Sequence, residues 1–164
     1  MTDTKSQRID EESFAEPPIA PEEAVGVVVV THGQLATELL NAAEMIVGDL
    51  PRFTAVSIGW HDDVDAARDL IERAVHKVDK GAGVLVLTDM FGGTPSNLGL
   101  TFLEAGRIEV VTGVNLPMLI KLAKVSGRRD LQSLARELCE HGRAAIRVAS
   151  ELLRADRDTS AREG

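Results

Sequence analysis

His32, Asp89 and the run Gly92-Gly93-Thr94 are the residues of this chain whose types and spacing could do chemistry together. A carboxylate bonded to Nδ1 of an imidazole fixes the tautomer and leaves the Nε2 lone pair free as a nucleophile. The same carboxylate stabilises the positive charge that grows on the ring as that nitrogen reacts. Adjacent glycines allow backbone conformations and close approaches that other residues resist. With the free N–H groups of a helix start they make a cradle for phosphate, and the Thr94 hydroxyl could add a contact. A histidine that carries a phosphoryl group needs these parts and neither metal nor nucleotide, so no cofactor and no metal site is expected. The roles that follow are catalytic for His32, Asp89 and Thr94, and phosphate-binding for Gly92, Gly93 and Thr94.

These residues can act together only if the fold brings them to one place, and the apolar pattern predicts that it does. Residues 25–31 (VGVVVVT) form a continuous β-branched run, as expected of a strand buried on both faces. Residues 34–47 have a helical apolar period closed by Gly48. Residues 53–58 are a second strand candidate, 63–79 an amphipathic helix and 84–88 a third buried strand. Thr94 reads as the N-cap of a helix with Pro95 at its first position, running to about Ala105 and stopping at Gly106. Residues 108–112 make a fourth strand. Helices follow over 116–125 and 130–153, the second interrupted at Gly142.

Strands alternating with helices predict an α/β fold, a doubly wound and mainly parallel sheet with helices on both faces. In the flavodoxin-like strand order 2-1-3-4, the ligand crevice lies between strands 1 and 3, beyond their carboxyl ends. That crevice would set Thr31-His32-Gly33 opposite the segment from Asp89 to Thr94.

Three stretches, THGQLATELLNAAEMIVG, TDMFGGTPSN and GVNLPMLI, resemble the enzyme IIA components of the mannose class of the bacterial sugar phosphotransferase system. The resemblance covers roughly residues 25–153. It implies a phosphotransferase component in which a histidine takes a phosphoryl group from phospho-HPr and passes it to a IIB component. The phosphorylated residue would then be His32 on Nε2, with Asp89 as its carboxylate partner and Thr94 where a small hydroxyl residue stands near the phosphate. A homodimer with an exchanged antiparallel strand is implied too. So is contact with the membrane IIC and IID components through IIB, without insertion. Sugar selection would lie in those components and not in this chain. An acidic leader departs from the pattern, and no IIB domain follows in this sequence.

Composition narrows the classes further. The net charge is −8 with no basic stripe, and aromatic residues make up 3% with no Tyr, which argues against nucleic acid as a partner. The single Cys139 excludes an internal disulfide framework, and no apolar run reaches membrane-spanning length. A cytoplasmic protein is expected. Residues 1–24, rich in acids and proline, read as a flexible N-terminal tail, residues 25–153 as the phosphocarrier domain and 154–164 as a flexible C-terminal tail.

The remaining polar residues have plainer readings. Asn115 fits a helix N-cap, Trp60 and His61 a loop after strand 2, His76 and His141 helix surfaces, and Cys139 a small core position. An alternative function keeps the fold: a regulatory phosphoprotein whose phosphorylation state controls a partner without sugar transport. A receiver domain would want acids after strand 1, where Thr31 and His32 stand, and a flavin site would want more aromatic side chains.

Overall fold

Four runs of aliphatic residues form the centre of the computed structural model, which describes residues 24–151. They are β1 (Gly26–His32), β2 (Phe53–Ile58), β3 (Val84–Thr88) and β4 (Ile108–Thr112). All pair in parallel, in the order β2-β1-β3-β4. The sheet is therefore wholly parallel in the order the sequence predicts. Side chains alternate along each strand, so Val27, Val29, Leu85 and Leu87 enter one apolar cluster while Val28, Val30, Val84 and Val86 enter the other. Burial on both faces is what makes these strands read as unbroken apolar runs.

The first face is covered by α1 (Leu35–Val47), α4 (Leu116–Ala123) and α5 (Leu131–Ala144). The second is covered by α2 (Val64–Val78) and the short α3 (Thr94–Leu100). After β1 the chain turns towards β2 through α1 on one face. After β3 it turns the other way towards β4 through α3 on the opposite face. The chain connections therefore diverge between β1 and β3, which opens a crevice at their carboxyl ends.

Three local expectations are corrected. Gly93, with extended backbone, is the N-cap of α3, so Thr94 is its first helical residue rather than its cap and Pro95 stands second. That helix ends at Leu100, short of Ala105, because the i→i+3 bonds from Thr101, Phe102 and Leu103 tighten the chain and the Thr101 hydroxyl donates to the Leu98 carbonyl at 2.7 Å. Glu104 then bridges to Ile108. Helix α5 runs through Gly142 without interruption and stops at Ala144, and a helical turn resumes at 149–151. Gly142 is a packing residue: a Cβ there would lie 2.7 Å from Met118 Sδ of α4, and its carbonyl accepts from Asn115 Nδ2 at 3.1 Å. The expected tails, and the final residues of the last predicted helix, lie outside the described residues, apart from Ala24, which is buried.

Candidate functional site

His32 is the last residue of β1, paired in register with Ile58 of β2. The turn that follows is fixed at both sides. The Gly33 N–H donates to the Ile58 carbonyl at 2.8 Å, and the fully buried Thr31 hydroxyl accepts from the Ala36 N–H at 2.7 Å. Thr31 thus satisfies one of the free donors at the start of α1, a capping role its own N-cap Gln34 does not perform. Held in this way, the His32 side chain emerges at the carboxyl edge with 44% of its surface exposed.

Asp89 follows β3 directly and comes in from the neighbouring strand. Its Oδ2 lies 2.8 Å from His32 Nδ1 and also accepts from the His32 backbone N–H at 3.0 Å. Its Oδ1 accepts from the Met90 N–H at 2.9 Å. Three donors therefore hold a carboxylate that is only 13% exposed. Burial works against its ionisation, but the hydrogen bonds from the His32 side chain and backbone, the attraction of the imidazole and the Met90 N–H outweigh it. The Asp89 carboxyl is held below its ordinary value. An ionised carboxylate only accepts, so in the neutral ring the short contact puts the proton on Nδ1 and the lone pair on Nε2.

Gly93 lies against the other side of the ring. A Cβ built there would sit 2.6 Å from His32 Cε1 and 3.0 Å from Nε2, closer than real side chains tolerate. A residue with a side chain at 93 would push the ring off Asp89. Gly92 serves the turn instead: its φ of +87° favours glycine, and nothing lies near its missing Cβ. Thr94 is exposed at the first position of α3, and its hydroxyl bonds to neither His32 nor Asp89. The structure thus gathers His32, Asp89 and Gly93 into direct contact, with Gly92 and Thr94 continuing the same turn.

Sequence reasoning missed the Thr31 cap and the buried hydroxyls of Thr88 and Ser96, which have no hydrogen-bond partner among the described residues. A hydroxyl residue four positions before the first apolar residue of a helical period, Leu35, is the available signal for Thr31. Asn115 does cap α4, accepting from the Met118 N–H at 3.2 Å. Cys139 packs half-buried against the core, and His61, His76 and His141 are exposed. Among the described residues, no group of three His, Cys, Asp or Glu side chains could hold a metal ion. Nor is any helix among them long and apolar enough to cross a membrane.

A family described as "PTS system fructose IIA component" (EIIA-man) matches residues 26–139. The mannose-specific EIIAB component of Escherichia coli K12 is 37% identical over 103 residues, which are 59% of this chain. The match spans 30% of that relative's length. The sorbose-specific EIIA component of Lacticaseibacillus casei is 30% identical over 113 residues, covering 68% of this chain and 81% of that one. Among solved structures, the PTS IIA protein associated with the fucose utilization operon of Streptococcus pneumoniae superposes with a TM-score of 0.71 at 26% identity. That alignment covers 80% of this chain and 97% of the other.

Proposed function

This chain belongs to the EIIA-man family of phosphotransferase-system IIA components, and from that premise we propose that it is a phosphocarrier whose acceptor is Nε2 of His32. The observation that carries the reading is the 2.8 Å contact between His32 Nδ1 and Asp89 Oδ2, which leaves Nε2 as the free nucleophile at the exposed edge. The phosphoryl group comes from phospho-HPr. The Nε2 lone pair attacks phosphorus, the Nε2–P bond forms, and the P–N bond to the donor imidazole breaks with its electron pair returning to the donor. Nδ1 keeps its proton throughout, and the Asp89 carboxylate balances the positive charge on the phosphorylated ring. Gly92, Gly93 and the first N–H groups of α3 receive the phosphoryl oxygens, with Thr94 beside them. The same geometry run in reverse hands the group to a IIB component. Most of the catalysis is positioning and electrostatics.

The setting proposed for this reaction is the cytoplasm, with the membrane IIC and IID components reached through IIB. A homodimer is part of the reading. Among the described residues the edge strand β4 has β3 as its one strand partner, besides the Glu104–Ile108 bridge, and Ile146 and Val148 beyond α5 are exposed apolar residues at alternate positions, as a segment that pairs with another chain would be.

Intact mass after incubation with phosphoenolpyruvate, enzyme I and HPr tests the assignment. One acid-labile phosphoryl group is expected on the wild-type chain and none on His32→Ala, which should keep its thermal midpoint because the ring is half in solvent. A fully phosphorylated His32→Ala chain would sink it. Phosphorylation with no onward transfer to any IIB protein would favour the regulatory alternative.

A further inference from the structure

Trp60 is the single tryptophan of the chain and is 92% exposed. It stands at the tip of a turn over 59–62, where the Asp62 N–H donates to the Gly59 carbonyl at 3.4 Å and the Asp62 carboxylate accepts from the Gly59 N–H. Asp63, next in the chain, caps α2 by accepting from the Ala66 N–H at 3.0 Å. Two carboxylates therefore fix the turn between β2 and α2 and hold the indole out in solvent. The turn belongs to the site's edge of the sheet: Ile58, two residues earlier, is the register partner of His32 and accepts from Gly33. On the other side of His32, β3 is followed by Asp89, Met90 and Phe91, and the last two are 55% and 73% exposed. Exposed aromatic residues thus follow the two strands that flank β1.

The charges on the turns at this edge are one-sided. Segments 32–38, 59–65, 89–97 and 112–118, which surround the crevice, contain Glu38, Asp62, Asp63, Asp65 and Asp89 and neither Lys nor Arg. These four turns offer a small phosphorylated molecule no Lys or Arg to hold its charge; Arg143, next to Gly142 beside Asn115, belongs to the end of α5. A protein can bring both an apolar patch for the aromatic residues and basic side chains for the acids. Resting on the carrier reading of His32, we infer that Trp60 is the docking anchor for the phosphoryl-donor protein, which covers it with an apolar patch ringed by Lys or Arg. Tryptophan is among the residue types that dominate such contacts once covered.

The test compares two donors on wild type, Trp60→Ala and Trp60→Phe. Phospho-HPr must dock; phosphoramidate need not, since its N–P bond breaks as Nε2–P forms and the protonated nitrogen leaves as ammonia with the bonding pair. For Trp60→Ala, the KM for phospho-HPr should rise about tenfold or more with kcat little changed, while the phosphoramidate rate stays at the wild-type level. Trp60→Phe should recover part of the loss. An unchanged KM overturns the inference, and so does an equal loss with both donors, which would make Trp60 a support of the site. Wild-type chain labelled by neither donor would overturn the carrier reading itself, a failure distinct from these.

Discussion

At the carboxyl ends of the strands, His32, Asp89 and Gly93 meet beneath open solvent; at the amino ends, Arg52 closes the molecule on itself. The Arg52 guanidinium donates to the carbonyls of Val25 at 2.7 Å, Val125 at 3.1 Å and Leu122 at 3.4 Å. It also lies 5.8 Å from the centre of the Phe53 ring. Its acceptors are the lead-in to β1 and carbonyls at and just past the end of α4, where a cation is favoured. Its half-burial pulls its pKa down. Asp89 and Arg52 are both ionic groups bonded across chain segments, yet they differ in what they leave free. Arg52 spends its donors on the backbone of its own fold. Asp89 spends its acceptors to aim a ring whose Nε2 has no hydrogen-bond partner among the described residues. An unsatisfied atom on a pinned side chain, rather than charge or burial, distinguishes the end that reacts from the end that holds.

The sharpest way to break this comparison is Asp89→Asn. An amide at 89 can donate to Nδ1, which moves the ring proton to Nε2 and removes the nucleophilic lone pair. Transfer from phospho-HPr should slow about a hundredfold, roughly 2.7 kcal/mol in the barrier, while stability at neutral pH changes little by comparison. Stopped-flow rates and a urea titration measure both. The acid limb of stability should respond as well. Because the folded Asp89 carboxyl is depressed, its contribution is complete above the ordinary aspartate range and is lost as pH falls through the folded value. Transfer at the wild-type rate would reduce Asp89 to a turn residue.

Arg52→Met should do the reverse. It removes charged hydrogen bonds to three backbone carbonyls while keeping the aliphatic stem, and an expected cost of about 2 kcal/mol would appear as a lower urea midpoint. The transfer rate per folded molecule should stay at the wild-type value. A slowed rate in the folded protein would show that the two ends are coupled.

The reactive end was the more legible of the two in the sequence. Strand order, the crevice between β1 and β3, and the facing of His32 and Asp89 follow from apolar periodicity and connection rules, which act over short windows. The Arg52 clamp left no such trace, because its acceptors are backbone atoms contributed by residues 25, 122 and 125, far apart in the chain. The misreadings near the site have a common cause. Thr94 and Gly142 were read through the local habits of threonine as a cap and glycine as a stop. In the fold, Gly93 takes the cap because its missing side chain makes room for His32, and Gly142 is required by Met118 of a different helix. Tertiary contact decided both positions, and a sequence window does not contain it.

Two glycines carry the comparison to its smallest expected effect. A Cβ at Gly93 would meet His32 Cε1 at 2.6 Å, whereas a Cβ at Gly26 would meet the Val78 backbone carbonyl oxygen at 2.5 Å. The two clashes are alike in size and differ in what has to yield. Against Gly93→Ala, the imidazole is the end of a half-exposed side chain, so the ring swings away and loses its alignment with Asp89 while the backbone stays. Transfer should slow about tenfold, roughly 1.4 kcal/mol, with the urea midpoint unchanged. Against Gly26→Ala, the obstacle is the backbone at the end of α2, packed on a strand buried on both faces. There β1 and α2 must separate, lowering stability by about 1–3 kcal/mol with the chemistry of the surviving folded molecules intact. If Gly93→Ala lowered the urea midpoint and left transfer alone, the glycine turn would belong to the scaffold, and the ring would be placed by Asp89 without it.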